Sequence, residues 1–197
     1  MHSKNNKQNT KPTLGETILL YVHDLAYLIA IMMIVFLFVF RVVVVSGASM
    51  NDTLVDGDYL LLLGNVFYKE PQQGDIIVAS KDSFENGMPI VKRVIATEGQ
   101  TVDIDFARCI VYVDGQPLDE PYISTLTSNF EGVHFPLTVE QDCVFVLGDN
   151  RLVSCDSRNP SVGLLDKREI LGKAIFLFLP GTGDTAGRDF SRIGVLP

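Results

Sequence analysis

The chain has 197 residues, 24 Asp and Glu against 16 Lys and Arg, and a net formal charge of -8, which suits one domain of ordinary size plus a short extra segment. That acidic balance offers no sequence-wide basic field for a phosphate backbone, so no nucleic-acid partner is expected. The three histidines (His2, His23, His134) and three cysteines (Cys109, Cys143, Cys155) show no zinc-ligand spacing, and no metal or other cofactor is expected.

Leu25 to Phe40 are sixteen consecutive residues without a charge or a strongly polar side chain. As a helix this run rises roughly 24 Å, most of a hydrocarbon layer about 30 Å thick, with Tyr21 and a snorkelling Arg41 at its edges. The expected organisation is a tail over 1–16, a transmembrane anchor over 17–41 and an extracytoplasmic domain over 42–197. Lys4, Lys7 and Lys11 precede the anchor with no acid before Glu16, which places the N-terminus in the cytoplasm by the positive-inside rule. Two other readings stay open: a buried core helix, and a signal peptide cut at the small-residue site Ser46-Gly47-Ala48.

Beyond the anchor the chain reads as β structure. The strands expected are 41–45, 59–63, 75–79, 90–96, 101–105, 110–113, 143–147 and 170–178, short β-branched runs separated by Gly, Pro, Asp and Asn. Asp114-Gly115 predicts a tight hairpin turn after the 110–113 strand. No repeat or long linker divides this part, so one β-rich domain is expected on one anchor.

Three polar constellations stand out. Gly47-Ala48-Ser49-Met50-Asn51-Asp52-Thr53-Leu54 follows the first strand, where small residues let a polypeptide approach the Ser49 hydroxyl and its backbone N–H. The same stretch fits an S-x-x-D helix cap. Lys92 sits in Ile90-Val91-Lys92-Arg93-Val94-Ile95-Ala96, where alternation puts it on one face with Ile90, Val94 and Ala96. An ammonium buried there loses hydration and its pKa falls, which makes it a candidate general base; an edge-strand lysine with a wet head is the plain alternative. Gly148-Asp149-Asn150-Arg151-Leu152-Val153-Ser154-Cys155-Asp156-Ser157-Arg158 follows an apolar strand. It reads either as a solvated loop or as buried polar support for a nearby lysine, with Asp156 and Arg158 able to pair.

In this order, behind an N-terminal anchor, the three runs together with Gly74-Asp75-Ile76, Glu98-Gly99 and Gly172-Lys173-Ala174 resemble the bacterial type I signal peptidases, and the small size resembles their Gram-positive branch. The resemblance implies a membrane-bound endopeptidase that removes signal peptides from exported preproteins. It also implies a mainly β fold of coiled antiparallel sheets whose apolar surface meets the lipid bilayer. It makes Ser49 the nucleophile and Lys92 its general base. Ser154 matches the serine that orients the lysine, while Asp149, Asp156 and Arg158 match the residues that hold the site together, with Arg93 structural. Gly47 and Ser49 form the oxyanion region. Gly47 stands where some members carry a serine hydroxyl for the oxyanion, and Asp52 where many carry Pro. The implied specificity is for small side chains, usually Ala, at the first and third positions before the cut. Val42, Val44, Ile90 and Val91 are candidate walls of those pockets. Ser49 lies eight residues beyond Arg41, a span of at most about 27 Å, so the nucleophile stays near the bilayer surface. The alternative is a noncatalytic anchored or secreted β-domain.

Overall fold

The computed structural model describes residues 13–183 and 187–197. Lys4, Lys7 and Lys11 of the expected cytoplasmic tail lie outside the described residues. Contacts divide the chain after Phe38 into two compact units.

The first unit is dominated by one helix, α1 (Leu14–Val39), 26 residues long and apolar enough to cross a membrane. None of its residues is buried within that unit. It begins earlier than the expected 17–41 segment because Thr13 and Glu16 form a capping box: the Thr13 N–H donates to Glu16 at 2.7 Å, and the Glu16 N–H donates to Thr13 Oγ1 at 3.4 Å. It ends before Arg41 because the β-branched run after Phe40 is taken into a strand.

The second unit is mainly antiparallel β. Its larger sheet contains β1 (Phe40–Val44), β2 (Tyr59–Gly64), β3 (Ile76–Ala79), β4 (Ile90–Thr97), β9 (Cys143–Leu147), β10 (Leu165–Asp166), β11 (Ile170–Leu179) and β12 (Gly194–Val195). The order is β1-β2-β11-β3-β4-β9-β10, with β12 on β11. The smaller sheet contains β5 (Thr101–Asp105), β6 (Ile110–Val113), β7 (Gln116–Pro117) and β8 (Leu137–Thr138), in the order β7-β6-β5-β8. All eight expected strands form; the four others are two-residue pairs too short to leave a period in the sequence. Asp114 and Gly115 both take positive φ and join β6 to β7, as the Asp-Gly turn requires.

Register shifts on β11 and β4 curl the larger sheet. At Gly172 a Cβ would stand 2.4 Å from the Leu63 carbonyl oxygen, so only glycine lets β11 approach β2 this closely. The curled sheet buries apolar side chains on both faces: Ile76 and Val78 in one cluster, Ile77 and Val94 in another. The expectation that Ala96 shares the face of Lys92 is corrected by the shift between Val94 and Ala96, which moves Ala96 into the cluster of Ile95 beneath the smaller sheet. The edge-strand reading of Lys92 is corrected as well, since β4 lies between β3 and β9. All three cysteines are free and partly buried, and Cys109 occupies a positive-φ turn just before β6.

Candidate active site

Ser49 lies in the loop from β1 to β2. Its base is closed by Val45 N–H to Asp58 O (2.8 Å), Gly57 N–H to Val45 O (2.9 Å) and Gly47 N–H to Asp56 Oδ1 (2.8 Å). Met50 and Leu54, essentially without solvent exposure, pin the middle of the loop into the core. The loop forms turns rather than a helix, so Ser49 caps nothing.

Lys92 projects from β4 where β9 has already given way to the polar run, since β4–β9 pairing starts at Arg93 and Leu147. Its side chain is buried, at 4% exposure. Nζ stands 2.8 Å from Ser49 Oγ and 3.0 Å from the Val91 carbonyl oxygen. A lysine amine and a serine hydroxyl at that separation can exchange a proton directly.

The run 148–158 is a buried network, with Asp149, Arg151, Asp156, Ser157 and Arg158 all removed from solvent. Asp149 accepts Arg93 Nε at 2.9 Å and Nη2 at 2.7 Å, and Thr53 Oγ1 at 2.6 Å. One carboxylate therefore ties the nucleophile loop to the residue after Lys92. Asp156 accepts Arg158 Nε at 2.8 Å and Nη2 at 2.9 Å, and the Gly148 N–H at 3.0 Å. Burial works against the Arg158 charge, but the Asp156 hydrogen bond and charge outweigh it and hold the guanidinium above its ordinary pKa.

Ser154 is buried in the same run. Its Oγ is buried with no hydrogen-bond partner, so no bond to Lys92 is made. It does lie beside the nucleophile's backbone: a Cβ on Gly148 would meet Ser154 Oγ at 2.2 Å and the Ser49 carbonyl oxygen at 2.5 Å.

Several participants carried no signal in the sequence. The long loop between β7 and β8 straps the network through Glu120 on Arg151, Glu131 on Arg158 at 3.2 Å, and Tyr122, whose ring lies 3.9 Å beneath the Arg93 guanidinium. Burial raises the Glu131 carboxyl pKa against the pull of Arg158, and burial with the nearby Glu120 charge raises the Tyr122 phenol. Glu120 and Glu131 carry no local signal because their arginine partners are remote in sequence.

A cavity of about 590 Å³ opens on this centre. It is lined by Ser49, Lys92, Val44, Ile90, Val91, Met88, Val153 and Cys155 among others. Of the candidate wall residues, Val44, Ile90 and Val91 line it and Val42 does not. Burial raises the pKa of the Cys155 thiol.

A family model described as signal peptidase, peptidase S26, matches residues 18–179. The chain belongs to the signal peptidase S26 family. A signal peptidase I from Bacillus licheniformis is 37% identical over 151 residues, covering 73% of this chain and 78% of that one. Another from Bacillus amyloliquefaciens is 34% identical over 182 residues, covering 88% of each. A solved signal peptidase I from Enterococcus faecalis is 31% identical and covers 53% of this chain and 97% of that one, with a TM-score of 0.44. The motif runs that carry Ser49, Lys92 and 148–158 in this S26 member all fall inside the matched span.

Proposed function

We propose that this chain is a membrane-anchored endopeptidase that removes signal peptides from preproteins by acyl transfer, with Ser49 as nucleophile and Lys92 as general base. The observation that carries the reading is the 2.8 Å contact between a buried amine and a hydroxyl that both line one cavity. Burial among aliphatic side chains disfavours the ammonium, so the amine can act neutral near physiological pH. It takes the Ser49 proton as Oγ attacks the scissile carbonyl, and returns it to the leaving amine. It then draws a proton from the water that hydrolyses the Ser49 ester.

The remaining roles follow from position. The Ser49 N–H in the Gly47–Ser49 segment faces the oxyanion, since it engages no protein acceptor among the described residues. Ser154 is the lysine-orienting hydroxyl; its burial without a partner supports this, because such a group gains from any bond that forms during turnover. Asp149, Asp156 and Arg158 hold the loop that carries it. The apolar lining from Val44, Ile90 and Val91 suits small side chains before the cut, of the Ala-x-Ala type. The helix α1 anchors the chain in the bilayer, with the Lys4, Lys7 and Lys11 end in the cytoplasm and 42–197 outside it.

The test is cleavage of a preprotein by the full chain in detergent. Ser49→Ala and Lys92→Ala are each expected to abolish cutting while leaving the circular-dichroism spectrum unchanged. Full activity in either variant rules out the dyad. Sequencing the N-terminus of the membrane-bound protein separates an intact anchor from one cut after Ala48.

A further inference from the structure

Two peptide units flank the Ser49 Cα, and Asn150 holds both. Its backbone N–H donates to the Ser49 carbonyl at 3.0 Å, and its side-chain Nδ2 donates to the Ala48 carbonyl at 3.1 Å. The Ala48 carbonyl also takes the Asn51 N–H of its own turn at 3.2 Å, so Asn150 joins that turn to the run 148–158 rather than creating it. The Ala48 carbonyl can only accept, so the donor Nδ2 faces it and Oδ1 faces Thr125. The Leu152 N–H donates to Thr125 Oγ1 at 3.2 Å, which leaves the Thr125 hydroxyl proton for Asn150 Oδ1 at 3.1 Å.

The cis peptide bonds of the chain are Asn51–Asp52 and Phe135–Pro136 among the described residues, so the Ala48–Ser49 peptide is trans and its C=O and N–H point in opposite directions. Fixing the Ala48 oxygen on Asn150 therefore directs the Ser49 N–H away from Asn150, where no protein acceptor meets it among the described residues.

We infer that Asn150 is the positioning residue of the oxyanion site, its carboxamide aiming the Ser49 N–H at the developing negative charge. The inference rests on Ser49 being the nucleophile. With Gly47 supplying no hydroxyl, the aim of this one N–H matters more here than where a second donor is built in.

The test uses the full chain in detergent, with preprotein turnover and the affinity of a peptide boronate ending in alanine boronic acid, which forms a tetrahedral adduct on a nucleophilic serine. Asn150→Asp, which replaces the donor by an acceptor, and Asn150→Ala are expected to lower kcat roughly 10-fold or more, short of the 10²–10³ seen when a donor is deleted outright. KM should stay within about twofold, boronate affinity should fall with kcat, and the acid limb of the pH profile should not move, because Lys92 is untouched. Unchanged kcat, a loss carried by KM, or unchanged boronate affinity overturns the assignment. Should both variants melt at assay temperature, Thr125→Val decides: it frees the carboxamide while keeping Nδ2, and a parallel but smaller loss of kcat and boronate affinity is expected, its absence counting against Asn150. Preprotein cutting by Ser49→Ala would instead overturn the nucleophile reading, whatever Asn150 does.

Discussion

Arg93, the residue after Lys92 on β4, is gripped by both carboxylate oxygens of Asp149 at 2.9 and 2.7 Å, with both side chains almost wholly removed from solvent. The same carboxylate takes the Thr53 hydroxyl from the nucleophile loop. A buried pair of this kind is costly to break from one side because the remaining charge has no water to turn to. Asp149→Ala is expected to lower unfolding stability by about 3–5 kcal/mol in urea denaturation. Thr53→Val should cost about 1–3 kcal/mol, as one hydrogen bond to a charged group is lost, and should reduce turnover because it unties the nucleophile loop from β4. A Thr53→Val protein with wild-type turnover would show that the tie is structural only.

Gly148 has no room for a methyl group: its Cβ would sit 2.2 Å from Ser154 Oγ, 2.4 Å from Ser154 Cβ and 2.5 Å from the Ser49 carbonyl oxygen. Gly148→Ala must push apart the loop bearing Ser154 and the loop bearing Ser49. The expected outcome is a stability loss of about 1–3 kcal/mol, as for overpacked sites, together with a fall in turnover larger than that loss explains at a temperature where the variant is folded. Thermal melts run beside the cleavage assay measure both.

Cys155 lines the cavity that contains Ser49 and Lys92. Burial raises its thiol pKa, so the reactive thiolate is scarcer near neutral pH than for a free cysteine. Iodoacetamide is expected to inactivate the enzyme slowly at pH 7 and much faster at pH 9, with Cys155→Ser insensitive. Inactivation at the same rate in Cys155→Ser would place the sensitive group elsewhere.

Glu131 combines burial with an ion pair to Arg158, and burial wins: its carboxyl pKa is raised. Ionising Glu131 therefore costs the folded state free energy. That cost is absent below the unfolded carboxyl pKa of about 4.3 and is complete above the folded pKa. The stability of Glu131→Gln relative to wild type should rise between pH 4 and pH 7 in urea melts. A relative stability that falls over this interval would mean that the Arg158 pairing outweighs burial.

The long strands were legible as short apolar runs, most of them β-branched, bounded by turn formers, although β2 reads Tyr-Leu-Leu-Leu-Leu-Gly and its one-sided burial leaves no alternation in the sequence. The face of Ala96 was not, because a bulge adds a residue to one strand without marking the sequence. The site was legible as a set of short runs. Lys92 taken alone pointed toward a wet edge lysine, since nothing local says which strands will flank β4. Asn150 and Arg151 sat inside one of those runs with no role to distinguish them. Glu120, Tyr122 and Glu131 gave no signal because their partners lie in other parts of the chain.

By itself the amino-acid sequence determined the apolar helix, the β character of the chain beyond it, and the three polar runs that carry the candidate chemistry, because composition and short-range periodicity are local properties. Only the tertiary structure decided that the Lys92 amine meets the Ser49 hydroxyl, that Asp149 ties the nucleophile loop to β4, and that Asn150 hydrogen-bonds the peptide before the serine. Those contacts join residues between 43 and 102 positions apart. A curled sheet brings such residues together through burial and register, which no window along the chain contains.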